Sequence, residues 1–342
     1  MRKYLEIKEM IMRLVRSREF SGKIPGERTM AAKFGFSYMT VRRAVSELAV
    51  EGVLIRRPRQ GTFVSDTTMV FKSTGNVGLL LCDNIRNGVN NPYYSMIYKR
   101  LRDEMASRGL NVVVCANANE FEDLDCLIVS AYPEAEEKIR QLSRKVPVVL
   151  IDNDIKGTSF PSVVIDNFNS TYCAVEYAIN LGHRDIGYVA GPQNSPVGIK
   201  RLGGFRTAMS DYDIPVNEKN ILFGDYERAS GYDGAGYFLS LNKMPTYIVC
   251  ANDCMASGLI SGLVEHGILI PDDVSVSGFD NTEGEEDYCP PMTTMSVNVD
   301  LMVKVCTDMV MSEIRGDTKV IRKYVVPAEL IVRNSTSAPR CG

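Results

Sequence analysis

Apolar positions in residues 1–66 recur at helical spacing in three stretches and then condense into two short β-rich runs. Leu5, Met12 and Val15, with Met10 and Leu14 flanking them, predict a first helix of about four turns. Ile24, Pro25 and Gly26 break it, and Glu27 opens a second helix through Met30, Ala31 and Phe34 that Gly35 ends. Ser37 suits the N-cap of a third helix whose buried face is Val41, Ala44, Val45 and Leu48. Thr40, Arg42, Arg43 and Glu47 fall outside that face, and Gly52 stops the helix. Runs at 53–56 and 61–64 flank Arg57, Pro58, Arg59 and Gln60, which predicts a hairpin with a basic tip.

Residues 67–75 are polar and turn-prone apart from Met69, Val70 and Phe71, and read as a linker between a module at 1–66 and a second unit at 76–342. In the second unit, apolar runs of strand length at 77–81, 112–114, 124–129, 146–151, 186–190, 247–251 and 274–278 alternate with amphipathic stretches. One such stretch places Tyr94, Ile97, Leu101 and Met105 on one helical face. Continuous apolar strands between helices predict an α/β unit whose parallel strands are covered on both faces, and its length suits two sheets. Only about ten residues join the second and third runs, around 117–125, where a parallel crossover normally needs a dozen or more. Any helix there is missing or a single turn.

Composition is that of an ordinary globular chain: 342 residues, 45% hydrophobic and 24% charged. The net charge of −3 hides an asymmetry, because residues 1–66 carry 14 Lys and Arg against 7 Asp and Glu. A module of +7 thus precedes a unit of −10, and basic modules of this kind commonly meet a polyanion. No run approaches the roughly 18 apolar residues of a membrane helix, and the charged start has no apolar signal core, so a cytoplasmic protein without membrane attachment is expected. Nine cysteines lack paired spacing, and the only histidines are His183 and His266, which argues against a disulfide framework, a zinc site or a metal cofactor.

Helix, tight turn, helix and basic hairpin is an arrangement that seats one helix in a major groove and a wing beside it. The segment IPGERTMAAKFGFSYMTVRRAVSELAVEGVLIRRPRQGTFV resembles the winged helix-turn-helix of GntR-type transcription regulators. That resemblance implies DNA contacts at Arg28, Ser37, Tyr38, Thr40, Arg42, Arg43, Gln60 and Gly61. Tyr38 stands where the family usually has Arg, and Pro58 where its wing usually has Gly. An arginine can grip a guanine edge or a phosphate with two parallel hydrogen bonds, and hydroxyls at a helix start complement a phosphate drawn to free backbone amides.

Ligands of open α/β sheets bind beyond the carboxyl ends of the strands, which draws attention to the polar residues that follow apolar runs. Asp152, Asp166, the Asn252 and Asp253 pair, and Asp280 hold such positions, and Arg201 could donate to them. Taken singly, each carboxylate serves more often as a helix N-cap than as a ligand contact. From Asn76 to about Gly316 the chain is similar to the effector domain of LacI-type repressors, itself related to periplasmic sugar-binding proteins of two lobes. The pieces that carry this are NPYY, VVIDN, LGHRDIGYVAGP, KRLGGF, SGYDGA, ANDCMASG, IPDDVSVSGFDN and PPMTTM. The resemblance implies a pocket of Tyr93 or Tyr94, Asp152, Arg201, Tyr226, Asn252 and Asp280, with Asp166 a plausible addition and Tyr226 a platform on which sugar C–H faces stack.

Joining these two parts looks like the arrangement of arabinose repressors. The expected function is a homodimeric, sugar-responsive repressor whose effector is a small neutral sugar such as a pentose and whose operator is an inverted repeat. Control in the opposite sense, with the ligand tightening DNA binding, is the alternative, and an enzyme on the same scaffold is the rival from another class. GYDGAG does not match the dinucleotide fingerprint, and no Walker, GxSxG or HExxH motif is present, so no cofactor is expected. His183, just before a strand, is most simply structural.

Overall fold

The computed structural model describes residues 2–16, 19–20, 22–65, 74–81, 88–115, 123–130, 136–153, 155, 160–282, 290–315 and 322–340. In the basic module, helices α1 (Arg2–Arg16), α2 (Glu27–Phe34) and α3 (Tyr38–Val50) are followed by strands β1 (Leu54–Arg57) and β2 (Gly61–Val64). The strands pair antiparallel, Leu54 opposite Val64, as the hairpin pattern predicts. Gly35 ends α2 with φ of 72°, a left-handed conformation that suits glycine. The core joins Val41, Ala44, Val45 and Leu48 of α3 to Ile7, Ile11 and Leu14 of α1 and Met30 of α2. The stripe on α1 thus differs from the expected one. Leu5 is 46% exposed, because the i, i+4, i+7 series that starts at Ile7 turns Leu5 outward.

In the larger unit the elements follow as β3 (Asn76–Leu81), α4 (Pro92–Ser107), β4 (Asn111–Cys115), β5 (Cys126–Ser130), α5 (Glu136–Leu142), β6 (Val148–Ile151) and β7 (Ser162–Ile165). Next come α6 (Asn167–Asn180), β8 (Ile186–Ala190), α7 (Pro196–Asp211), β9 (Ile221–Phe223), α8 (Arg228–Leu239), β10 (Tyr247–Cys250) and α9 (Asp253–Glu265). The chain then runs through β11 (Ser275–Asp280), β12 (Thr293–Val297), α10 (Val299–Arg315), β13 (Lys323–Val326) and β14 (Ala328–Ile331). Two six-stranded sheets result, ordered β13-β7-β6-β5-β3-β4 and β14-β12-β11-β10-β8-β9. Every pair in them is parallel except β12 with β14. The expected linker at 67–75 lies largely, and the short crossover at 117–125 mostly, outside the described residues.

The sheet orders define two lobes, and the chain crosses between them after β7, after β12 and between β13 and β14. Interior strands are buried along their length, every residue of β5 and of β8 included, while the edge strands β4, β13 and β14 are partly exposed; the interior pattern is that of parallel strands covered on two faces. Register sets where the strands end. Val129 pairs with Leu150 in the first lobe and Val249 with Ser277 in the second. Ser130 and Asp152 therefore emerge at one edge, and Ala251 and Asp280 at another. His183 is structural, as expected: its ring nitrogens contact Thr246 Oγ1 and Ser337 O, both at 2.8 Å, and burial lowers its pKa.

Candidate functional site

Asp152 follows the buried strand β6 with φ of 62°, and Asp280 closes β11 with φ of 117°. Tyr226, before α8, has φ of 70°. Left-handed backbone is uncommon for such residues and persists where surrounding structure enforces it, often at binding sites. All three are positions singled out in the sequence.

Arg201 on α7 is buried and fully engaged. Its Nε donates to Asn167 Oδ1 at 2.7 Å, one terminal nitrogen donates to Ala251 O, and the other to Asp280 Oδ1 at 3.4 Å. The guanidinium lies 3.6 Å from the centroid of the Phe279 ring, a stacked cation. Asp152 faces this cluster from the first lobe. Tyr94 Oη donates to Asp152 Oδ2 at 3.4 Å, and Ser130 Oγ donates to Tyr94 Oη at 3.4 Å. Tyr93 packs edge-on against Tyr94, 5.2 Å between centroids. Asn91 caps α4 by accepting from Tyr93 N at 3.1 Å, which fixes both tyrosines at the helix start.

The electrostatics tie the two lobes into one site. Burial pushes the Asp152 carboxyl up to about 6, while Arg201 and the two tyrosines pull it back. Burial also raises Asp280 well above the carboxylate range, opposed by Arg201 and reinforced by Asp253 and Asp152. Tyr93 is raised by burial and then by Asp152 and Asp280. Two carboxyls and one guanidinium thus share a buried space, in which Tyr93 lies close enough to Asp152 to favour its ionised form, yet neither Asp152 Oδ1 nor Tyr93 Oη completes a hydrogen bond of ordinary geometry. A ligand bearing adjacent hydroxyls could give to the first and accept from the second.

Two expected pocket residues serve as helix N-caps, the other role the sequence offered for such positions. Asp166 accepts from Asn169 N at 3.3 Å and from Asn169 Nδ2 at 2.7 Å, so it caps α6, and its neighbour Asn167 reaches Arg201 instead. Asn252 caps α9, accepting from Met255 N at 3.0 Å, and its Nδ2 donates to Tyr226 O at 2.9 Å. Ser130, Asn167 and Phe279 were not singled out from sequence. Asn167 and Phe279 adjoin flagged positions and Ser130 ends β5, a signal that a wider reading of strand ends would have caught. At the hinge crossovers a separate cavity of about 270 Å³ is lined by Met96, Arg100, Asn281, Ser296, Asn298 and Glu329 among others.

In the basic module Ser37 caps α3, accepting from Thr40 N at 3.2 Å, and its hydroxyl pairs with Thr40 Oγ1 at 2.7 Å. Arg28 lies 5.9 Å from the centroid of the half-exposed Tyr38 ring. Arg43 turns back toward α1: it sits 4.2 Å from the Tyr4 ring centroid and donates to Glu47 Oε1 at 3.3 Å. Arg42 is exposed and joins no ion pair among the described residues. In the hairpin turn Gln60 N donates to Arg57 O at 3.0 Å, and Arg59 and Gly61 take positive φ of 61° and 114°.

Residues 3–64 match the family described as bacterial regulatory proteins, gntR family, and residues 175–336 match the periplasmic binding protein-like domain. The HTH-type transcriptional repressor PurR of Photorhabdus laumondii subsp. laumondii is 29% identical over 259 residues, which are 71% of this chain and 76% of that protein. A sugar-binding transcriptional regulator of the LacI family from Escherichia coli, solved with phosphate, is 26% identical with a TM-score of 0.65, covering 78% of this chain and 100% of that one. The fold is shared as well with a transcriptional regulator CelR–cellobiose complex, at 22% identity and a TM-score of 0.69, covering 91% of this chain and 100% of that one. These relatives are regulators of transcription, not enzymes. No described helix is long and apolar enough to cross a membrane.

Proposed function

We propose that this chain, whose residues 3–64 match the GntR family and 175–336 the periplasmic binding protein-like domain, is a DNA-binding repressor whose ligand is a small neutral sugar with adjacent hydroxyls held between the two lobes. The observation that carries this reading is the meeting of Arg201, Asp280 and Asp152 from facing lobes, with Asp152 Oδ1 and Tyr93 Oη both buried and neither completing a hydrogen bond of ordinary geometry. Carboxylates accept paired hydroxyl protons, and two carboxyls against one guanidinium disfavour a phosphorylated ligand. A pentose such as arabinose fits this chemistry. CelR, bound to cellobiose, supports the sugar class by likeness of fold.

The DNA-binding part of the proposal places Arg28, Tyr38, Thr40, Arg42, Gln60 and Gly61 against an operator. Arg42 is the principal groove contact and Ser37 sets the helix start. The protein acts in the cytoplasm as a homodimer on an inverted repeat. Exposed Val113 and Val114 on edge strand β4 and Phe223 on edge strand β9 offer apolar surface for a second copy. Ligand closure of the lobes changes the spacing of the two readers and releases the operator, and linkage requires operator to weaken ligand binding by the same factor.

Calorimetry of the full-length protein against pentoses, hexoses, disaccharides and sugar phosphates tests the ligand class. Operator titrations with and without the best ligand then test the sign of control. Tightest binding by a sugar phosphate would overturn the neutral-sugar reading, and tighter operator binding with ligand would reverse the regulation.

A further inference from the structure

Three successive residues at the end of β10 hold three separate pieces of the cleft. Ala251 O accepts from Arg201, Asn252 Nδ2 donates to the carbonyl of Tyr226, and Asp253 takes the turn after Asp280. Asp253 is 1% exposed and points away from solvent. Its Oδ2 accepts from Asn281 N at 2.6 Å and Thr282 N at 3.4 Å, and its Oδ1 accepts from Thr294 Oγ1 at 2.6 Å. The turn it grips is left-handed at Asp280 and again at Asn281, with φ of 117° and 56°. The turn has no glycine; Asp280 and Asn281 are of the types that tolerate left-handed backbone best after glycine, and the Asp253 carboxylate holds the amides of Asn281 and Thr282 in that shape. A side chain at Gly278 would strike the Asp253 carboxylate, so the strand carries a glycine where the acid passes beneath it.

We propose that Asp253 and Asn252 are positioning residues of the ligand site, Asp253 holding the left-handed turn that presents Asp280 to Arg201 and ligand, and Asn252 holding the left-handed residue Tyr226. The inference rests on the reading that the cleft between the lobes binds the ligand. Asn252 Oδ1 caps α9 and its Nδ2 donates to Tyr226 O, which leaves one N–H and one lone pair of the amide for a ligand. The device works because backbone N–H groups held by a buried carboxylate cannot relax without leaving that carboxylate unsatisfied. Asp280 is thereby presented before any ligand arrives, with no ordering left for the ligand to impose.

The test compares wild type, Asp253→Asn and Thr294→Val, each as full-length protein. Thr294→Val removes one of the three donors and touches none of the proposed ligand contacts. In unliganded crystal structures, Asp253→Asn is expected to lose the positive φ at 280 and 281, and the contact from Arg201 to Asp280 with it. Carboxyl NMR gives a second readout that a purely structural role would not move. The groups facing Asp280 are Arg201 on α7, Asp253 on α9 and Asp152 from the other lobe; Thr294→Val leaves all of these charges in place, so a rise in the pH at which Asp280 titrates in that variant reports loss of its Arg201 contact. With L-arabinose, D-xylose and cellobiose as probes, affinity should fall about 30-fold in Asp253→Asn and about 3-fold in Thr294→Val, with Thr294→Ser restoring the loss. An Asp253→Asn structure with the turn unchanged, or a wild-type affinity for the bound probe, overturns the inference. If wild type binds none of the probes, the sugar reading fails while the turn and the titration still decide this one. Should Asp253→Asn not fold, Thr294→Val supplies the same readouts at smaller amplitude.

Discussion

The two halves of the cleft are built on opposite terms. In the second lobe the polar atoms of Arg201, Asn252 and Asp253 are engaged by protein partners. In the first lobe the contacts are fewer: Tyr94 reaches Asp152 at 3.4 Å, the same distance as Arg201 to Asp280, while neither Asp152 Oδ1 nor Tyr93 Oη completes a hydrogen bond of ordinary geometry. Tied groups shape a site and open groups meet what enters it. The second lobe is therefore the preorganised wall, and the first lobe the half that gains partners when the lobes close on a ligand.

Arg201→Ala strikes the tied half and should have the largest effect. It leaves Asp280, Asn167 Oδ1 and Ala251 O buried without their donor, a loss of about 3 to 5 kcal/mol in the manner of a buried pair deprived of one partner. Both ligand binding and the unfolding temperature should fall. Calorimetry and thermal unfolding on one sample check this, and a variant of wild-type stability would show that the wall is not what Arg201 maintains.

Asp152→Asn strikes the open half, and its two effects should have opposite signs. The folded carboxyl titrates near 6, above its ordinary value of 3.8, so ionisation is disfavoured in the folded state. The group's contribution to stability is full at low pH and is lost as pH rises from about 4 through about 6. Asparagine removes that loss, so at pH 8 the variant should gain up to about 3 kcal/mol, and nothing below pH 4. Ligand affinity should drop, because a neutral amide accepts from hydroxyls at one atom only. In wild type, affinity should rise with pH through about 6, as hydroxyl donors favour the ionised form, and this dependence should vanish in the variant. Equal pH profiles would remove Asp152 from the site.

How much of this was legible in sequence follows the same division. Asp152, Arg201 and Asp280 stand at strand ends or on the KRLGGF helix, and both the strand-end rule and the family pattern reach them. Local rules could not tell a cap from a contact. Asp166 and Asn252 sit at strand-to-helix transitions as the others do, and only the partners Asn169 and Met255 show that they cap α6 and α9. Asp253 was visible beside Asn252, yet its work is on residues nearly 30 positions later, which no periodicity contains. The fold was legible wherever strands are apolar throughout. The stripe on α1 was misread at Leu5 because several registers of that helix offer apolar residues, and tertiary packing against α3 chose the one through Ile7 and Ile11.

The reader repeats the contrast on one helix. Both arginines are exposed, but Arg43 is tied to Tyr4 and Glu47 while Arg42 beside it joins no ion pair among the described residues. Arg42→Ala should weaken operator binding by about 1 to 3 kcal/mol, and Arg43→Ala should change it by less than about 0.5 kcal/mol. Fluorescence anisotropy at fixed salt reads both, and ligand affinity should stay unchanged in each. The reverse ranking would show that the tie to Tyr4 opens on DNA.

The smallest effect is expected where reader and sensor touch. Glu313, near the end of α10, is 8% exposed, with Arg13 of α1 at 3.8 Å on one side and Arg322 at 3.5 Å on the other. Helix α10 begins directly after the β12 crossover, so rotation of the lobes about that hinge displaces a rigid rod whose far end meets the reader. An ion pair at 3.8 Å is weakly made, and Arg322 remains beside Glu313 when Arg13 is cut back. Arg13→Ala should therefore cost less than about 1 kcal/mol of stability. Its effect should appear in coupling: the factor by which ligand lowers operator affinity shrinks, while each affinity measured alone stays near wild type. Raising salt should have a much smaller effect on wild type, since a largely buried pair is screened little. Titrating operator with and without ligand at two salt concentrations measures both, and an unchanged coupling factor in Arg13→Ala would assign signal transfer to the linker alone.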